Sequence, residues 1–199
     1  MHNVTKQLVN ETKAGKAEKK ESGKPSTREI VYIGMFAAIL AILSQISIPM
    51  PSGMPITLQT FAVALTGFVL SWKRGTVSTL IFILLGAVGV PVFSGLRGGV
   101  QVLAGHTGGF IWGFVFMVMF CGIGIMQENK TLGIMISFIG LAICHLFGVI
   151  QFAVVMKMDF LKSFLLASAP YLIKDAVSVI LAYILGYRIR KSLLKANLL

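Results

Sequence analysis

Acidic side chains are nearly missing from most of this chain. Seven carboxylates occur in 199 residues, and four of them, Glu11, Glu18, Glu21 and Glu29, fall in the first 29 positions, leaving Glu128, Asp159 and Asp175 for all the rest. Three scattered acids exclude a catalytic carboxylate pair, a carboxylate cage for a metal and a proton pathway built from a succession of acids. Cysteine is as scarce. Cys121 and Cys144 stand 23 residues apart in apolar runs, without metal-ligand spacing, and read as small core residues. Charge of either sign makes up 13% of the chain, about half of what a soluble domain carries. Phosphate-loop, Ser-elbow and paired-His motifs are absent too: no G-x-x-x-x-G-K-[ST] run occurs, and His2, His106 and His145 are far apart. The chain is therefore expected to be no enzyme and to hold no metal or cofactor. His145, in mid-run, reads as an interhelical hydrogen-bond donor.

What fills the chain is apolar: 56% hydrophobic residues and a mean hydropathy of +0.85. This is the composition of a single membrane domain. The net charge of +11 then needs no nucleic-acid partner, because basic residues sort loops across a bilayer. Residues 1–29 are rich in Lys, Glu, Thr, Ser and Gly without an apolar period, which predicts a disordered tail and no cleaved signal peptide. Apolar runs follow at 30–48, 57–72, 76–93, 110–126, 131–156 and about 164–187. They predict an all-α integral membrane domain of six transmembrane helices over residues 30–190, and a basic tail over 191–199. Four or eight spans would require merging or splitting runs that charges already bound. With six spans, fourteen basic residues fall on the side of both termini, including the connection at Lys73 and Arg74, against Arg97, Lys157 and Lys162 on the other. Both termini are accordingly expected to be cytoplasmic in a multi-pass protein of the cell membrane.

Two connections on the outer side are unusual. IPMPSGMPIT, from Ile48 to Thr57, has three prolines and reads as a stiff cap. PVFSGLRGGVQVLAGHTGGF, from Pro91 to Phe110, holds six glycines and one charge, Arg97. It reads either as a flexible outer loop or as a segment dipping back into the membrane to line a cavity, where Gly98 and Gly99 would let backbone N–H groups approach a ligand. Lys174 and Asp175 lie about ten residues into the last run, where charge is costly unless it snorkels or finds a partner. Adjacent helical residues point about 100° apart, so each is expected to need a different neighbour. Arg97 and Lys174 are expected to converge on an anionic ligand, with Gln59, Thr60, Tyr171 or Asp175 as hydrogen-bonding groups and Phe93, Phe110 and Trp112 as apolar packing.

The succession IPMPSGMPITLQTFAVALTG, then LLGAVGVPVFSGLRGGVQVLAGHTGGFIWGF, then APYLIKDAVSVILA closely resembles the BioY family, the biotin-binding S components of energy-coupling factor (ECF) transporters. The likeness covers about residues 30–190. It implies a six-helix bundle that captures biotin from outside and works with a transmembrane coupling subunit and a pair of cytoplasmic ATPases. The family's biotin-binding arginine falls on Arg97 and its last-helix lysine on Lys174. Departures are Tyr171, where the family often has an aspartate, and His106, where it commonly has proline. In the first helix, Gly34 and Ala38, and Ala37 and Ala41, form small-residue pairs spaced by four; the family's Ala-x-x-x-Ala docking motif for the coupling subunit matches Ala37 and Ala41. Competing readings are an S component for another vitamin, a passive channel or scaffold, and an intramembrane enzyme centred on Lys174, Asp175 and His145. Against the enzyme, Lys174 is expected near the outer end of its span and His145 mid-span, at different depths.

Overall fold

The computed structural model describes residues 26–50 and 55–196. Most of the expected disordered tail, part of the proline-rich connection and the last three residues lie outside them. The chain divides into two units, Met1–Val31 and Tyr32–Leu199. In the first, the described residues open helix α1 (Thr27–Ser44). The Ser26 N–H donates to Glu29 Oε2 at 3.2 Å, one half of a Ser-x-x-Glu capping box, so the helix starts inside the stretch read as tail.

The second unit continues α1 and adds β1 (Ser47–Ile48), β2 (Ile56–Thr57), α2 (Gln59–Ala87), α3 (Val100–Ala104), α4 (Gly108–Gly124), α5 (Lys130–Met156), α6 (Phe160–Ala167) and α7 (Ala169–Lys195). By length and composition α1, α2, α5 and α7 can each cross a membrane, and α4 is a shorter apolar helix. Within the proline-rich connection β1 and β2 pair antiparallel, Ser47 with Thr57 and Ile48 with Ile56; this small ribbon was not expected from sequence. Helix α7 runs through the basic segment as far as Lys195.

Helix α2 is interrupted at Ser71 (φ 64°, ψ 176°). A Cβ on Gly75 would lie 3.3 Å from Gly67 Cα, whereas residues eight apart in a continuous helix are separated by about 12 Å. The chain therefore doubles back at Ser71 into two arms, 59–70 and 72–87. The sequence put this connection at Lys73 and Arg74; the corner comes slightly earlier because glycines let backbones close there. A Cβ on Gly122 of α4 would meet Trp72 N at 2.2 Å, and one on Gly67 would meet Val118 O at 2.5 Å. Small residues also set the contact between α4 and α5, where a Cβ on Gly113 would lie 2.7 Å from Cys144 Cα. Phe68 meets Tyr183 edge to face at 5.3 Å and Phe82 meets Phe93 at 5.5 Å, fixing one arm to α7 and the other to the glycine-rich connection. Both cysteines are buried and free.

Helix starts follow their caps. Asn129 accepts from Thr131 N (2.9 Å) and Leu132 N (3.3 Å) to open α5, Asp159 accepts from Leu161 N (3.0 Å) to open α6, and Pro170 stands in the first turn of α7. The glycine-rich connection is held at both ends by glutamines. Gln45 Nε2 donates to Val92 O (3.0 Å) while its Oε1 accepts from Leu96 N (2.9 Å). Gln151 Nε2 donates to Leu103 O and Gly105 O, both at 2.7 Å.

Candidate functional site

A cavity opens where the β2 strand, the first arm of α2, the glycine-rich connection and helices α4, α5 and α7 meet. Six residues expected at a ligand site line it together: Gln59, Thr60, Arg97, Tyr171, Lys174 and Asp175. Phe93, Phe110, Ile111 and Phe114 supply apolar wall. Trp112 does not line it and is 44% exposed. Gly98 and Gly99 are also absent from its lining. A Cβ on Gly98 would lie 2.5 Å from Val90 O, and Gly99, at φ +95°, donates its N–H to Gly86 O at 2.6 Å, so both glycines serve the packing of the connection on the end of α2.

On α7, Tyr171, Lys174 and Asp175 occupy positions i, i+3 and i+4, which share one face. Lys174 Nζ forms an ion pair with Asp175 Oδ1 and donates to Thr57 O at 3.0 Å. The expectation that the two adjacent charges need separate neighbours is thereby corrected. Both flank the direction of Tyr171, and the four-carbon lysine stem spans the 100° arc between them.

Asp175 Oδ2 lies 3.3 Å from His145 Nε2, and His145 Nδ1 lies 2.8 Å from Ser168 Oγ. In the neutral imidazole, a proton on Nε2 donates to the carboxylate and leaves Nδ1 to accept from the Ser168 hydroxyl. Thr60 lines the cavity together with the same carboxylate. Histidine, aspartate and lysine are therefore neighbours, against the expectation of different depths. Helix α6 was not foreseen as a separate element; it carries the chain back from the end of α5, so that α7 begins level with His145. The order Ser168, His145, Asp175 is that of a hydrolase triad, but Ser168 is fully buried and lies outside the lining of this cavity. His145 bridges α5 and α7, as its mid-run position suggested, and it lines the cavity beside Lys174 and Asp175.

The polar groups divide by depth. Asp175 and His145 are 5% and 6% exposed, whereas Arg97 is exposed at the mouth. Arg97 is held by a reciprocal backbone pair with Phe93 (3.0 and 3.2 Å) and by its own Nε donating to Ser94 O at 2.9 Å. Its terminal nitrogens have no carboxylate partner among the described residues. On α1, Ala37 is 2% exposed and Ala41 packs partly buried against the core. Gly34 and Ala38, the other small pair, face outward, with nothing within 4 Å of a Cβ built on Gly34.

The chain is 32% identical to the biotin transporter BioY of Thermotoga maritima, covering 82% of this chain and 96% of that one. It is 34% identical to the probable biotin transporter BioY of Pyrococcus horikoshii over the same shares, and 32% identical to the biotin transporter BioY2 of Lactococcus lactis, covering 84% and 93%. The crystal structure of the S-component for biotin from an ECF-type ABC transporter superposes with a TM-score of 0.76 at 23% identity, over 84% of this chain and 95% of that one, which shows a common fold. The BioY family model matches residues 12–195. This chain belongs to the BioY family, whose members are transporter components and not enzymes.

Proposed function

We propose that this protein is the S component of an ECF-type biotin uptake system, capturing biotin on the outer side of the cell membrane and delivering it inward with a coupling subunit and a pair of ATPases. The observation that carries the reading is the division of charge in the cavity. Lys174 and Asp175 neutralise each other at the buried end, and Arg97 at the mouth is left without an acid partner among the described residues. Biotin has the complementary layout. Its ureido ring presents N–H donors beside a carbonyl acceptor, matching a carboxylate beside an ammonium, and its carboxylate lies at the end of a flexible tail. The ring belongs at Asp175 and Lys174, with Gln59, Thr60 and Tyr171 around it, the bicycle against Phe93 and Phe110, and the carboxylate at Arg97.

In this reading the two arms of α2 count as separate crossings, which with α1, α4, α5 and α7 makes six, and the glycine-rich connection tucks between them as a re-entrant cover on the outer side. Both termini face the cytoplasm, as the distribution of basic residues favours. The coupling subunit docks on the outward ridge of Gly34 and Ala38, since the Ala37 side chain is occupied inside the bundle. The test is equilibrium binding of radiolabelled biotin to the purified protein against other labelled vitamins and against biotin amide. Saturable binding of biotin alone among the vitamins, weakened by amidation, is expected. Tighter binding of a different vitamin overturns the substrate, and no saturable ligand overturns the transporter reading.

A further inference from the structure

At the opposite end of α7 from the substrate cavity, Ile125 at the end of α4 and Tyr187, Arg190, Lys191, Leu194 and Lys195 of α7 surround a second concavity. The five α7 residues recur at i, i+3, i+4, i+7 and i+8 and so form one stripe. A fourth cation joins it from α5, with Lys130 Nζ standing 5.2 Å from the centre of the Tyr187 ring. Arg190 is anchored through Nη1 to Val69 O at 2.9 Å, which turns its guanidinium edge into a fixed part of the wall. None of Lys130, Arg190, Lys191 and Lys195 has a carboxylate within ion-pair distance among the described residues. From Lys174 to Arg190 is sixteen residues of helix, about 24 Å, close to the hydrocarbon thickness of a bilayer, ~30 Å.

We infer that this concavity is a binding site for an anionic phospholipid. Four uncompensated cations call for an anionic ligand. Two apolar walls, Ile125 and Leu194, at the end of a membrane-spanning helix give the acyl and glycerol portion a place that a free phosphate does not need. Cations at this level attract an anionic membrane surface, and a pocket between helix ends localises that attraction on one headgroup. The face is solvated and basic, and the Tyr187 ring within it takes the Lys130 ammonium while stacking on Tyr183. The proposal is independent of the identity of the transported substrate.

The test uses full-length protein in detergent, with phosphatidylglycerol, phosphatidylcholine and inorganic phosphate as separate probes. Native mass spectrometry is expected to retain one phosphatidylglycerol in preference to phosphatidylcholine, and thermal unfolding to shift upward with the anionic lipid only. Each lysine near the surface is worth about fivefold in lipid affinity, so Lys191→Gln with Lys195→Gln is expected to lower retention by roughly 25-fold while leaving vitamin binding at the far end unchanged. Lys191→Arg with Lys195→Arg restores it and controls for folding. Equal retention of phosphatidylcholine overturns the proposal in favour of ordinary annular lipid. Stabilisation by inorganic phosphate alone makes this a free-phosphate site and equally overturns it. So does an unchanged lipid preference in the Gln variant, or loss of co-purified partner protein in that variant with no lipid effect.

Discussion

At the scale of the residue, the cavity joins an ion pair, Lys174 with Asp175, to an exposed guanidinium, Arg97, at its mouth. Arg97, Lys174, Asp175, Tyr171, Gln59 and Thr60 were legible because polar side chains are conspicuous in apolar runs, and all six line one cavity. The pairing of Lys174 with Asp175 was not legible, because the 100° separation of neighbouring positions describes Cβ directions and ignores the reach of a lysine stem. Burial now assigns different magnitudes to the two cations. Asp175→Asn leaves Lys174 without its counter-charge and is expected to weaken biotin binding by about 2–5 kcal/mol, roughly 30-fold or more. Arg97→Ala acts on an exposed contact and is expected to cost less and to lose its effect as salt is raised. With biotin amide as ligand, Arg97→Ala is expected to be nearly silent and Asp175→Asn to remain costly. Binding isotherms with both ligands at two ionic strengths check the four values, and equal losses at both residues with both ligands would refute the division between ring and tail.

At the scale of the element, hydropathy located the helices and missed their corners. The break in α2 escaped because nothing in SWKRG marks a reversal as strongly as the lysine and arginine do, and Ser71 takes a backbone conformation that glycine occupies without penalty. Ser71→Gly is thus expected to raise the apparent thermal midpoint in detergent, by the equivalent of about 1 kcal/mol or more, and Ser71→Val to lower it; a loss of stability with glycine would show that the serine side chain matters more than its φ. Helix α6 escaped for a different reason: it covers Phe160–Ala167 and overlaps the start of the run read from about 164, and only the Asp159 cap and Pro170 mark it off from its neighbours. Helix α1 offers a third test. Ala37 is buried and Ala38 faces out, so Ala38→Trp is expected to leave biotin binding intact while reducing co-purification with the coupling subunit, whereas Ala37→Trp overpacks the core and lowers stability by about 1–3 kcal/mol. If Ala38→Trp co-purifies as the parent does, the subunit docks elsewhere.

At the scale of the whole molecule, the proposed orientation has a direct check in accessibility. Both native cysteines are buried, so a single introduced thiol reports its own position. Val88→Cys, at a site 78% exposed beside the glycine-rich connection, is expected to react with an impermeant reagent added outside intact cells, and Glu128→Cys only after the membrane is opened; the reverse pattern would invert the topology. Gln45 and Gln151 have a consequence of their own. The strap over the cavity is fastened by primary amides, which neither titrate nor attract counter-ions. Acid or brine that would unlatch a lid secured by ion pairs leaves this one fastened. These two fastenings therefore hold their ends of the segment whatever the acidity or salt of the medium.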